Sequence, residues 1–116
     1  MSLLIINYVK SDCCGSYTID YIPSSGYHGC GHIPGARNSP SVSEFLQVEK
    51  YCLLVVCYDG RALQGTYCGK GSCFLGCNCD GGCIQGDPEF PQDPLKNFMK
   101  LYSKYVKKAT LRNTLF

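Results

Sequence analysis

The 116-residue sequence predicts an α+β fold in two parts, and three features carry that reading. Apolar, β-prone segments at 16–22 and 51–58 have the composition of strands. From residue 93 onward the apolar residues fall into the spacing of an amphipathic helix. Between these, residues 68–83 hold five cysteines and five glycines and keep neither a helical nor a strand period. The resulting order of strand, helix, strand, strand, helix, strand is the ferredoxin-like βαββαβ arrangement, an antiparallel sheet covered by helix. Disulfide-rich loops form the second part.

Each element has a local cause. The Tyr/Ile/Thr-rich run 16–22 is bounded by Gly15 and Pro23, which delimit a strand. Residues 23–40 are loop, with prolines at 23, 34 and 40 and glycines at 26, 29, 31 and 35. Ser41 and Glu44 form a capping box, in which each side chain satisfies the other's orphan amide, and a short helix to about Lys50 follows. The run 51–58 (YCLLVVCY) is continuously apolar and therefore predicts a strand buried on both faces. Asp59-Gly60 is a hairpin signal, because a type I′ turn needs positive φ at both central residues, so 61–66 is expected to return antiparallel. Asp93 and Pro94 suit the cap and first position of the last helix. Leu95, Phe98, Met99, Tyr102, Tyr105 and Val106 form its apolar stripe, with Lys96, Lys100, Lys104 and Lys108 opposite. A final strand is expected at 109–113. The parts are thus an N-terminal segment 1–12, a body of 13–67 and 88–116, and a cysteine-rich loop unit at 68–87. Residues 1–12 read as a vestigial or truncated export signal, since no basic region precedes the short apolar run.

Ten cysteines in so short a chain mark a disulfide scaffold and an extracellular, secreted protein. The disulfide set is Cys13, Cys14, Cys30, Cys52, Cys57, Cys68, Cys73, Cys77, Cys79 and Cys83. Neighbours cannot bond without strain, so Cys13 and Cys14 take different partners. Cys52 and Cys57 are an odd number apart on one strand, so they face opposite sides of the sheet and cannot join each other. One belongs on the helix side or margin, and the other ties the opposite face to another segment, most simply the cysteine-rich insertion. Full connectivity stays open at this point.

The same thiols do not suit metals or redox chemistry. No C-x2-C pair occurs, the tight spacing on which structural zinc, iron–sulfur and thioredoxin-type sites rely. His28, Cys30 and His32 are close in sequence, but a bridged Cys30 is no thiolate ligand, so no metal or other cofactor is expected. Gly65 to Ser72 lacks the Walker spacing and the adjacent Lys-Ser pair. With no nucleophile elbow and no histidine in a triad context, no enzyme is expected. Charge is divided: residues 1–93 carry 5 basic and 9 acidic side chains, while 94–116 carry 6 basic and no acidic ones. Lysines on one face of an amphipathic helix are its solvated side, so nucleic acid is not an expected partner. The apolar run at the start is far too short for a membrane span.

The segment from Gly65 to Asp87, with its Cys77-Asn-Cys79-Asp-Gly-Gly-Cys83 motif, resembles the Diedel family. The vicinal Cys13-Cys14, the Cys52-x4-Cys57-Tyr-Asp-Gly60 approach and the late helix resemble it too. The family comprises small secreted insect proteins with ten cysteines, with relatives carried by insect DNA viruses. The resemblance implies a ferredoxin-like subdomain and a second subdomain of disulfide-linked loops. It also implies a cytokine-like modulator that damps innate immune signalling through the IMD pathway, with no catalytic residues to carry over. The chain departs from that pattern in lacking a full signal peptide and in its long Gly/Pro loop at 23–40.

The expected partner is a host protein or receptor, bound by a monomer. Phe74, Leu75 and Ile84, apolar residues in a loop region with little core, are the candidate contact residues, against packing into a small disulfide core. Two other classes fit the composition. A disulfide-rich protease inhibitor would present Arg61 or Lys70 on an exposed loop. A cystine-knot growth factor would use Cys77-x-Cys79, although Cys68 to Cys73 is one residue too long for its partner ring element.

Overall fold

The computed structural model describes residues 13–39, 51–74 and 77–112. Its strands are β1 (Tyr17–Pro23), β2 (Arg37–Asn38), β3 (Cys52–Val56), β4 (Cys73–Phe74), β5 (Asn78–Cys79) and β6 (Val106–Leu111). Among the described residues there is one α-helix, α1 (Pro94–Tyr102), which continues into a 3₁₀ turn at Ser103–Tyr105. Four strands form one sheet in the order β2-β3-β1-β6, and β4 and β5 form a separate hairpin. All pairings are antiparallel. The fold is thus α+β, with antiparallel sheets and five disulfides. The helix expected after Ser41, the segment 1–12 and Asn113 lie outside the described residues.

Register explains the core. Tyr17, Ile19 and Tyr21 of β1 stand opposite Val56, Leu54 and Cys52 of β3. That shared face carries the main cluster, in which Ile19, Val56 and Phe98 of α1 have no exposed surface. Leu95, Met99, Tyr102 and Tyr105 pack around it, so the apolar stripe read from the sequence does face the sheet. In β3 four of five residues are buried and Val55 is half-buried, as a continuous apolar run requires. The opposite face includes Asp20, whose carboxylate accepts two hydrogen bonds from Arg112 at 3.0 and 2.6 Å.

Two elements differ from expectation. Residues 61–66 do not form a strand; Ala62 makes a single bridge to Val56. The turn itself is present: Cys57 N–H donates to the Arg61 carbonyl and Leu63 N–H to the Val55 carbonyl. The outer edge of β3 is shared, however, because Arg37 and Asn38 pair with Leu53 and Cys52 at its other end. Gly65, at φ 82°, then turns the chain away. The six-element order that needs a third strand at 61–66 is therefore not formed as read.

The second difference is at the last helix. It is capped as expected, the Asp93 carboxylate accepting from Lys96 N–H at 3.0 Å with Pro94 in the first turn. It ends at Tyr102, and the strand expected at 109–113 already begins at Val106. Edge pairing with β1 overrides the helical pattern there: Val106 stands opposite Pro23, and Ser24 N–H donates to the Tyr105 carbonyl. Only Lys96 and Lys100 remain on α1, so the lysine stripe is not one helix face.

Candidate interaction surface

The cysteine-rich segment is built by bridges between short pieces. Cys13 joins Cys77 and Cys14 joins Cys83, so the vicinal pair clamps two points six residues apart. Cys30 joins Cys52 inside the main core, whereas Cys57 joins Cys68. Cys73 and Cys79 are directly opposite in the β4–β5 hairpin and bond across it. Cys14, Cys57 and Cys68 form a second buried cluster, with Leu63, Tyr67 and Ile84 packed against it. Gly69 must lack a side chain, because a Cβ there would overlap the Cys73–Cys79 bridge.

The candidate contact residues separate. Phe74 is 51% exposed in the hairpin. Ile84 is partly buried and packs on the cystine cluster. Leu75 lies outside the described residues. Arg61 is held by Asp59, which accepts its N–H at 3.0 Å and faces its guanidinium at 4.0 Å. Lys70 is exposed, with its backbone N–H bonded to the Gly82 carbonyl. Cys30 is committed to Cys52, so its sulfur is not a ligand thiolate, and the His32 ring lies against Tyr27 and Tyr105. Lys100 pairs with the Asp87 carboxylate, and that hydrogen bond lowers the carboxyl's pKa and raises the ammonium's.

Two groupings carry no local sequence pattern. Tyr17 and Tyr58 stack with ring centres 5.1 Å apart, and the Tyr17 hydroxyl donates to that of Tyr58 at 2.8 Å. Burial and that hydrogen bond push the Tyr17 pKa up to about 12. Asn97 is the other. Its buried amide nitrogen reaches the carbonyls of Tyr58, Phe90 and Asp93 at 2.8, 2.7 and 3.0 Å. It thereby ties α1 to the turn after β3 and to the 87–93 loop. Gly60 is required beside it: at φ 80° its missing Cβ leaves room for the backbone of Asn97 and Phe98. An asparagine inside a helix, where its amide competes with the backbone, was the available hint.

The arrangement is a bridged platform with one exposed aromatic, and comparison with known proteins gives it a family. The Diedel family model matches residues 13–100, a span that contains all ten cysteines. The chain is a member of the Diedel family. Protein Diedel of Drosophila melanogaster is 35% identical over 88 residues, covering 74% of this chain and 67% of that protein. The crystal structure of the CG11501 protein superposes with a TM-score of 0.58 at 30% identity, covering 86% of this chain and 95% of that one. The Diedel match takes in β1 to β5 and most of α1, and stops before β6. Among the described residues no helix is long and apolar enough to cross a membrane.

Proposed function

We propose that this chain is a secreted, cytokine-like modulator that damps insect innate immune signalling, through the IMD pathway, by binding a host protein. The observation that carries the reading is membership of the Diedel family over residues 13–100. Five bridges with no free cysteine among the described residues support an oxidising, extracellular setting. The same reading accommodates a virus-borne copy of a host protein, as in the relatives the resemblance implies.

The finer architecture is part of this proposal. The strand order β2-β3-β1-β6 with α1 on one face supports a ferredoxin-like body, with the loop after β1 in place of a first helix. The cystine cluster supports a second unit around 68–87.

The test is to add the purified protein to peptidoglycan-stimulated insect cells and follow antimicrobial-peptide transcripts. A dose-dependent reduction is expected, and unchanged transcripts overturn the reading. Phe74→Ser is the matching surface variant. Its half-exposed ring predicts a stability change within about 0.5 kcal/mol by denaturant titration and a loss of suppression. Full suppression by this variant would remove Phe74 from the contact surface.

A further inference from the structure

A cleft of about 260 Å³ opens where the two clusters approach each other. Tyr17 and Tyr58 line it together with Gly15, the Cys14–Cys83 bridge, Gln85 and Gln92. Among the described residues no Asp, Glu, Lys, Arg or His lines it. Its backbone groups are largely engaged: Cys14 N–H donates to Cys77, Cys68 N–H to Cys14 and Ile84 N–H to Cys68. Three side-chain groups are not engaged among the described residues. The Tyr58 hydroxyl accepts from Tyr17, and its own proton has no protein acceptor. The carboxamides of Gln85 and Gln92 are exposed at the cleft and likewise lack protein partners.

We propose that this cleft is an anchor pocket for one uncharged, amide-bearing side chain, Asn or Gln, of a partner protein. Size sets the first limit. Pockets for drug-sized ligands start at roughly 300 Å³, so this one suits a single side chain. Polarity sets the second. A carboxylate or an ammonium would be desolvated with no opposite charge among the described lining residues to meet it. An aliphatic side chain would cover the Tyr58 proton and leave it unbonded. A carboxamide offers a carbonyl to Tyr58 and an NH2 group to the glutamine oxygens. Tyr17 donates to the Tyr58 oxygen at 2.8 Å, which leaves the Tyr58 proton directed away from Tyr17. The proposal rests on the reading of this chain as a partner-binding modulator, and names the chemistry of the contact.

The test plugs the cleft by addition. Gly15 lines it, lies outside the left-handed region, and has nothing within 4 Å of a built Cβ, so Gly15→Leu fits the fold. The probe is N-acetylglutamine amide, titrated into ¹⁵N-labelled protein, with N-acetylglutamate amide as the charged control. The neutral probe should shift the resonances of Gly15, Gln85 and Gln92, and the charged one should bind at least tenfold more weakly. Tyr58→Phe should weaken the response, and Gly15→Leu should abolish it. No shift at the cleft, an equal response to the charged probe, or persistence in Gly15→Leu overturns the proposal. In the cell assay, folded Gly15→Leu with full suppression also overturns it while leaving the immune reading intact. A selective probe response in a wild-type protein that suppresses nothing supports the pocket and removes the immune reading instead.

Discussion

The sheet-and-helix core and the cystine cluster are held by different forces, and their buried residues show it. Ile19, Leu54, Val56 and Phe98 of the first are at most 1% exposed, and each contributes through apolar burial, about 1.5–3 kcal/mol for a full side chain. The second has three fully buried members, all half-cystines. Too little apolar surface is available there for burial alone to order the loops. Chain entropy does that work instead. The Cys14–Cys83 bridge closes a separation of 69 residues, for which the loop-entropy relation gives about 4 kcal/mol. The first region should therefore respond to the volume of its side chains, and the second to reduction.

The largest effect tests the second half of that contrast. Cys13–Cys77 and Cys14–Cys83 close nearly the same loop, so either one alone supplies most of the long-range entropy. Removing one forfeits only the short additional ring it closed beside the other, at a cost of about 2 kcal/mol. Removing both, as Cys13→Ser with Cys14→Ser, should cost about 6 kcal/mol, well above twice the single loss. Denaturant titration measures this non-additivity. Hydrogen exchange should show 68–84 losing protection while amides of β1 and β3 keep theirs. Equal loss in both regions would mean that they form one cooperative unit.

Next in size is the change aimed at the other region. Phe98 is fully enclosed between α1 and the sheet, packed at 5.6 Å against Tyr21 and 5.4 Å against Tyr102. Phe98→Ala should cost about 3–5 kcal/mol, the usual range for truncating a core aromatic. The bridges must remain formed for the measurement to be informative, which intact mass after alkylation checks. Exchange protection should fall first in β1, β3 and α1.

How far the chain could be read beforehand follows the same division. Strands β1 and β3, the Asp93 cap and the Phe98 stripe are legible because each depends on local composition and period. That Cys52 and Cys57 take different partners is legible too, and they fall in different clusters, Cys52 with Cys30 and Cys57 with Cys68. The failure at 61–66 is different in kind: the edge of β3 is contested by Arg37 and Asn38, a competitor distant in sequence. Helix α1 ends early because β1 offers Val106 a partner, again a tertiary fact. Of the candidate contact residues, Phe74 and Ile84 look alike as apolar loop positions. Only the bridging pattern separates the exposed ring from the packed one. The Tyr17–Tyr58 pair is 41 residues apart and follows from no periodicity.

The smallest effect is absent at neutral pH and appears only in alkali, where it probes both regions at once. Tyr21 lies in the sheet core and Tyr17 at the cleft beside the cystines; the pKa of each is pushed up to about 12 from 10.0. Burial is the leading cause for both, since a tyrosinate loses its solvation there, and Tyr17 also donates to Tyr58. A raised folded-state value means that the native protein binds more protons than the unfolded chain between these limits. The associated stability is complete below about pH 10 and is lost as pH rises toward about 12. Unfolding free energy should thus be level around neutrality, as far as tyrosines govern it, and fall through that window. Tyr17→Phe should make the decline shallower by removing one of the two groups, while Tyr21 sustains the remainder. An unchanged slope in Tyr17→Phe would show that the hydroxyl at the cleft is solvated in the native state.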